Sequence, residues 1–481
     1  MNKRMVFSTL GKLTISEAIL MTLPLIVALI YGEFKVALSF LISIAVALAV
    51  GFVLHKCFKP QSKVIYAKEG FIIVAFGWLI MSIIGAFPFV LSGDIPSYID
   101  AFFETVSGFT TTGASILRDV EALSHGALFW RSFTHWVGGM GVLVFIMAIL
   151  PSISDRSIHI MRAEMPGPIV GKIVPRARET ARILYIIYFV MTLAEVVFLI
   201  AGGMPLFDSV VHSFGTAGTG GFGIKADSIA SYTPYHQWVI TIFMFLFGVN
   251  FNLYYLLLMK KVRSILKSTE FWAYLGVTVA ATSIICINIS PMFENIGDAI
   301  RTSAFQVSSI ITTTGYSTVD FNLWPTLSKT VLLCLMFVGA CAGSTGGGFK
   351  VTRLVMLFKS IKQELKRMIH PRSVSAVKFE GKVLDKTTTT GLSAYLAIYV
   401  VLFITVVLLI SFEPFDFETT FSAALSCFNN IGPGIGAVGP MGSYANYSVF
   451  SKIVLSFAML FGRLEIYPLL IALTPTTWTK K

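Results

Sequence analysis

The chain has 481 residues, 55% of them hydrophobic and only 13% charged, where a soluble globular protein carries roughly 25% charged residues. That balance argues against a soluble enzyme. The net charge of +12 carries no specific sign of nucleic-acid binding, because the basic residues fall in short segments between apolar blocks.

The first segment, 1–66, opens on basic residues and runs into an apolar stretch. No small-residue cleavage pattern follows, as a removable leader would require, and a second apolar block starts near Val36. It reads as a transmembrane hairpin. From there a unit recurs: an outward spanning helix, a short stretch opening with Pro and an acid, a Gly-rich loop, and a returning helix. Repeat 1 (67–155) has helix 71–92, with 71–91 free of charge, then Pro96–Asp100, Thr110–Ser115 and helix 129–151. Repeat 2 (156–265) has helix 182–203, Pro205–Asp208, Ala217–Phe222 and helix 235–260. Repeat 3 (266–386) has helix 271–290, Pro291–Glu294, Thr312–Ser317 and a returning segment from about 327. Repeat 4 (387–481) has helix 390–411, Pro414–Asp416, Asn429–Gly434 and helix 447–473. Runs of about 18 or more apolar residues can span the hydrocarbon core.

Basic residues cluster at Lys3–Lys12, Lys56–Lys68, Arg156–Arg182, Lys260–Lys267, Lys350–Lys386 and Lys480–Lys481, and many of the acids lie between them. Basic loops stay in the cytoplasm, so both termini are expected there, in a multi-pass protein of the lipid bilayer. The five cysteines, Cys57, Cys286, Cys334, Cys341 and Cys427, show neither metal-ligand nor redox spacing and read as small core residues.

The loop glycines Gly113, Gly220, Gly315 and Gly432 recur roughly every hundred residues, and internal repetition sets architecture. The stretch before each is too short to cross and return as two spans, and acids at its start suit a helix N-terminus. A helix dipping in from outside, followed by an extended return, fits. Irregular backbone at that depth must be buried in protein or line a water-filled cavity. Four such loops around one axis would present carbonyl oxygens in place of the hydration shell of an alkali cation. Glycine permits the required dihedrals, threonine adds a hydroxyl, and the helix C-termini contribute partial negative charge. Candidate ion-binding residues are therefore Thr111, Thr112, Gly113, Thr219, Gly220, Thr313, Thr314, Gly315, Asn430, Ile431 and Gly432. Ile431 standing in place of Thr makes the symmetry approximate.

Two features interrupt returning helices. Residues 339–349 hold five glycines, each costing a helix about 1 kcal/mol against alanine. The segment reads as a gate beneath the third loop, with helix close-packing as the plainer alternative; a phosphate loop would need different spacing and a preceding strand. Arg463, with Glu465, lies in an apolar helix, where an ionisable residue is a functional candidate; a local ion pair is the plainer reading. His135 reads as helix packing and His212 as a hydrogen-bonded structural residue. No catalytic constellation or bound cofactor is expected.

Trp130-Arg131-Ser132 through Gly138-Gly139-Met140-Gly141, Thr219-Gly220-Gly221-Phe222, Gly343-Ser344-Thr345-Gly346-Gly347-Gly348-Phe349-Lys350, Asn429 through Gly434, and Gly462-Arg463-Leu464-Glu465 resemble the bacterial Trk-type potassium uptake proteins of the Trk/Ktr/HKT superfamily over nearly the whole chain. The resemblance implies an all-α integral membrane protein of about ten transmembrane helices. These would form an N-terminal hairpin and four pseudo-symmetric repeats around a central K+ pore, in the cytoplasmic (inner) membrane. It further implies that 341–349 is an intramembrane gating loop, with Gly343, Ser344, Thr345, Gly346, Gly347, Gly348, Lys350 and Arg463 as gating residues. A homodimer and a TrkA-like cytosolic nucleotide-binding regulatory ring would complete the assembly. A secondary transporter with broken helices is the rival reading.

Overall fold

The computed structural model describes residues 2–58, 66–141, 177–371, 376–384 and 386–478. Among these the secondary structure is helical, apart from one small ladder in which Lys378–Phe379 pairs antiparallel with Lys382–Val383. Six segments are long and apolar enough to cross a membrane: Lys3–Ile30, Phe34–Cys57, Lys68–Ser92, Glu179–Ala201, Thr269–Met292 and Thr388–Ile410. Two more qualify only as bent pairs, Pro234–Phe247 with Phe251–Leu258 at 90° and Val449–Arg463 with Tyr467–Leu473 at 120°. With the shorter helices His125–Gly139 and Thr326–Val338, this is compatible with about ten spans. The rest of the returning helix expected over 129–151, and most of the basic segment 156–182, lie outside the described residues.

The returning helices expected over 235–260 and 447–473 are therefore broken rather than straight. In the first, the chain leaves the helix at Gly248 and restarts when the Asn250 side chain accepts the Asn252 N–H at 3.0 Å. In the second, Glu465 and Ile466 sit at φ 53° and 68°, which no right-handed helix accommodates.

Between the spans lie four short helices, Tyr98–Phe109, Leu206–Gly218, Ile296–Ile311 and Phe417–Asn429, of 12, 13, 16 and 13 residues. At about 1.5 Å per residue they fall short of the roughly 30 Å hydrocarbon core. Each has an acid in its first turn: Asp100, Asp208, Asp298 and Glu418. Ser97 and Asp416 add side-chain caps to Asp100 N and Thr419 N. The third starts later than the Pro291–Glu294 signal suggested, because Pro291 is taken up in a single turn, Ser290–Met292.

Apolar residues of the long helices, such as Phe189, Val197, Val401 and Leu408, are exposed on the outside. The centre holds the polar residues instead: Thr110–Thr112, Thr312–Thr314, Ser426, Asn429 and Asn430 are all 0% exposed. A chain surrounded by hydrocarbon has no need to hide apolar surface, and its irregular polar backbone must be enclosed by protein.

Candidate functional site

Each short helix ends in the same way. Thr111, Thr219, Thr313 and Asn430 stand at φ 54°, 54°, 60° and 57°. The N–H of the residue after each reaches five positions back: Thr112 to Ser107 at 2.9 Å, Gly220 to Gly215 at 2.8 Å, Thr314 to Ser309 at 2.8 Å and Ile431 to Ser426 at 3.0 Å. This is the Schellman helix stop, in which glycine is the usual left-handed residue. Asparagine tolerates that conformation; threonine, being β-branched, is strained in it.

Two residues beyond each left-handed position stands a glycine at positive φ: Gly113, Gly221, Gly315 and Gly432, at 78°, 73°, 86° and 104°. The second loop is thus shifted by one from the expected register. Gly220 occupies the place of Thr112, Thr314 and Ile431, and Gly221 is the counterpart of the other three glycines. A Thr/Asn-x-Gly pattern, present in all four loops, was the signal for it.

The four glycines close a ring. A Cβ on Gly113 would lie less than 3.0 Å from the Gly220 carbonyl oxygen. One on Gly221 would meet that of Thr314, one on Gly315 that of Ile431, and one on Gly432 that of Thr112. Each carbonyl one residue before a glycine therefore rests where a neighbouring loop lacks a side chain, and the chain of contacts returns to its start. Asn430 Nδ2, donating to Thr112 Oγ1 at 2.9 Å, ties the fourth loop to the first. The Gly432 carbonyl itself accepts from Tyr444 Oη at 3.0 Å and Ser426 Oγ at 2.7 Å.

Above the ring, a cavity of about 430 Å³ is lined by all four glycines, with Arg118, Arg131 and Lys225 on its wall. Among the described residues, Thr111 Oγ1 and Asn430 Oδ1 are buried without a hydrogen-bond partner. The other loop hydroxyls are engaged: Thr112 with Thr110 at 2.8 Å, Thr314 with Thr312 at 2.8 Å, Thr219 with the Gly218 carbonyl at 2.6 Å, and Thr313 accepting from Gly347 N at 2.6 Å.

Several residues brace the loops from behind. His135 does more than pack helices: Nδ1 meets the Gly108 carbonyl at 2.8 Å and Nε2 accepts the Phe222 N–H at 3.3 Å, so the imidazole is a neutral cross-link between the first short helix and loop two. Glu104 pairs with Arg131 at 2.6 Å, both buried, and accepts from Ser115 Oγ and Ile116 N at 2.9 Å each. Arg131 in turn donates to the Gly223 carbonyl at 2.9 Å and lies 3.5 Å from the Phe222 ring centroid. His212 is held by hydrogen bonds to Tyr232 at 3.1 Å and Tyr316 at 3.4 Å. In the outer loop, burial and then Asp208 push the Tyr232 phenol above its usual pKa.

Beneath the ring lies the glycine-rich segment that follows Val338. A Cβ on Gly347 would meet the Asn429 carbonyl oxygen at 2.7 Å, and one on Gly346 that of Thr312 at 2.9 Å. Ser344 Oγ donates to the Cys341 carbonyl at 2.6 Å, Gly343 O accepts from Phe251 N at 3.0 Å, and Thr345 Oγ1 donates to the Phe247 carbonyl at 3.2 Å. Gly348 and Lys350 stand at φ 73° and 72°, and Lys350 Nζ donates to the Gly346 carbonyl. Arg463 is the last residue of its helix rather than an interior one, and Glu465 pairs with Arg353. Arg463 donates to the carbonyls of Thr345 at 2.8 Å, Gly138 at 2.5 Å and Gly139 at 2.6 Å. The cavity on this side measures about 30 Å³, room for a water or two.

Comparison with known proteins follows the same outline. A family model described as TrkH, cation transport protein, matches residues 37–279 and 289–478. The Trk system potassium uptake protein TrkH of Salmonella typhimurium is 37% identical, with 99% of this chain and 100% of that protein covered. The Trk system potassium uptake protein TrkG of Escherichia coli K12 is 32% identical, with 95% and 94% covered. The crystal structure of the potassium transporter TrkH from Vibrio parahaemolyticus superimposes with a TM-score of 0.89 at 32% identity, covering all of both chains.

Proposed function

The chain belongs to the TrkH family of cation transport proteins, and from that premise we propose that it takes up K+ through the ring of four loops. The observation that carries this reading is the closed cycle of carbonyls and glycines, with Gly221 as the second loop's member. Four inward-dipping helices end at that cycle, and their C-terminal partial negative charge favours a cation. The carbonyls of Thr112, Gly220, Thr314 and Ile431, with the free oxygens of Thr111 and Asn430, stand in for the hydration shell. Relatives named as potassium uptake proteins support K+ as the ion.

Residues 341–349 act as the gate, and Arg463 holds them against Gly138 and Gly139. The chain lies in the cytoplasmic membrane with both termini inside, as its alternating basic segments suggest. It works as a homodimer with a cytosolic nucleotide-binding regulatory partner. The membrane potential drives uptake: one charge crossing 100 mV gains about 2.3 kcal/mol, enough for substantial accumulation without ATP hydrolysis by this chain. The rival, a secondary transporter with broken helices, draws on the bent pairs at 247–251 and 463–467; here both breaks contact the gating segment, which favours the pore.

The test is flux in proteoliposomes containing the full-length chain and its partner, with K+, Rb+ and Na+ supplied in turn. K+ and Rb+ should pass well ahead of Na+. A folded preparation that passes none of the three ions overturns the reading.

A further inference from the structure

Glu270 lies in the first turn of helix Thr269–Ile289 and is 6% exposed. It lines neither the outer nor the inner cavity. It does not serve as its own helix's cap, since Ser268 accepts the Phe271 N–H. Its carboxylate reaches across to three other segments. Oε1 accepts the Ala342 N–H at 2.6 Å and the Thr352 hydroxyl; Oε2 accepts from Asn250 Nδ2 at 3.4 Å.

The positions of those partners matter. Ala342 enters the glycine-rich segment and Thr352 leaves it. Asn250 restarts the broken helix of the second repeat. The two stems also meet directly, Val351 N donating to the Ala340 carbonyl at 3.0 Å. The break and the segment satisfy each other's backbone: Cys341 N donates to Gly248 O at 3.1 Å, and Phe251 N to Gly343 O at 3.0 Å. A helix break inside a membrane needs such partners for its freed groups. A chain of five glycines within 339–349 gains much conformational freedom once released. Something must therefore hold its stems together, and a carboxylate, which has several acceptor sites, suits the task.

We propose that Glu270 is a positioning residue, the latch that holds segment 341–349 in its closed place by joining both its stems to the break at Gly248–Asn250. The inference rests on the reading of that segment as the gate. Opening then requires the latch to be undone, and the gate and the hinge at Gly248 move together.

Cys341, 0% exposed, is a reporter built into the segment. With the other four cysteines replaced by alanine, the full-length chain in proteoliposomes is treated with a small methanethiosulfonate reagent, and Rb+ flux is followed in parallel. Glu270→Ala should label Cys341 roughly tenfold faster, the scale of losing one or two net hydrogen bonds, and should raise flux without the regulatory partner. Thr352→Val, close in volume, should move both readouts in the same direction and carries the test if Glu270→Ala does not fold. Glu270→Gln, which keeps Oε1 as an acceptor, should fall between parent and alanine. Labelling at the parent rate in both Glu270→Ala and Thr352→Val overturns the latch. Deletion of residues 343–347 separates the two readings. Flux raised by the deletion, with labelling unchanged in the point variants, overturns the latch alone. Flux unchanged by the deletion overturns the gate reading, while faster labelling in the point variants would still support Glu270 as the clamp on this segment.

Discussion

Threonine at positive φ costs of order 1–3 kcal/mol per residue, and such strain persists only where the surroundings over-determine it. Thr111, Thr219 and Thr313 carry that cost at three of the four helix stops, where glycine would be relaxed. What glycine lacks is the side chain: the Thr313 hydroxyl accepts from Gly347 N, and the Thr111 hydroxyl is left free in the interior. The glycine two residues on has the opposite need. At Gly221 a Cβ would collide with the Thr314 backbone, and φ is 73°. Gly221→Ala should therefore abolish preference for K+ over Na+, or flux altogether, because backbone rather than a flexible side chain would have to give way. Gly276→Ala, on a helix with nothing within 4 Å of its added methyl, is the control and should leave ion ratios unchanged with stability equal or up to about 1 kcal/mol higher. Competitive Rb+ and Na+ fluxes on the two variants check this. Wild-type ratios in Gly221→Ala would remove that glycine from the ring.

At the scale of elements, the loops are set by what lies behind them, and the buried Glu104–Arg131 pair is the clearest case. It binds the segment leaving loop one, through Ser115 and Ile116, to loop two, through Phe222 and Gly223. Removing one partner strands the other charge, at a cost of about 3–5 kcal/mol, whereas replacing both with neutral groups of similar volume is far milder. Arg131→Met alone should thus unfold at markedly lower temperature than the double variant with Glu104→Gln, as read by thermal unfolding in detergent; equal losses would mean that the pair is solvated. None of this pairing was legible in the sequence, where Glu104 reads only as an acid on the outer side. The short helices and their order were legible, because length, acidic first turns and Thr/Gly ends are local signals. The breaks at Gly248–Asn250 and Leu464–Ile466 were not. Hydropathy runs on through both, and the partners that make each break tolerable, Cys341 and Gly343 for the first and the Arg353–Glu465 pair beside the second, come from distant parts of the chain. The one-residue slip at Gly220 has a nearer cause: with glycine at both 220 and 221, only alignment on the preceding left-handed residue chooses between them.

Over the whole molecule, the ring and both cavities are built from residues 111 onward, and nothing in 2–58 lines either cavity. The N-terminal hairpin instead buttresses the first repeat. Glu33 accepts the His125 and Gly126 N–H groups at 2.7 and 3.0 Å, capping helix His125–Gly139, and Phe40 meets Trp130 edge-on at 6.3 Å. Loss of such a cap alone costs roughly 1 kcal/mol, and the buried faces of Phe40, Ala37 and Ala47 add to it. A chain beginning at residue 66 should therefore melt several degrees lower while keeping the K+ to Na+ ratio of the full chain. One contact could break that separation. Glu17 sits with Oε1 3.2 Å from where a Cβ on Gly85 would lie, a place that also faces Thr105 and Phe109 of the first short helix. If the shortened chain remains folded but loses its ion preference, the hairpin shapes the ring through that helix. In that case Glu17→Gln, which keeps the shape and removes the ionisable group, should leave the ratio intact, and Glu17→Ala should reproduce the loss.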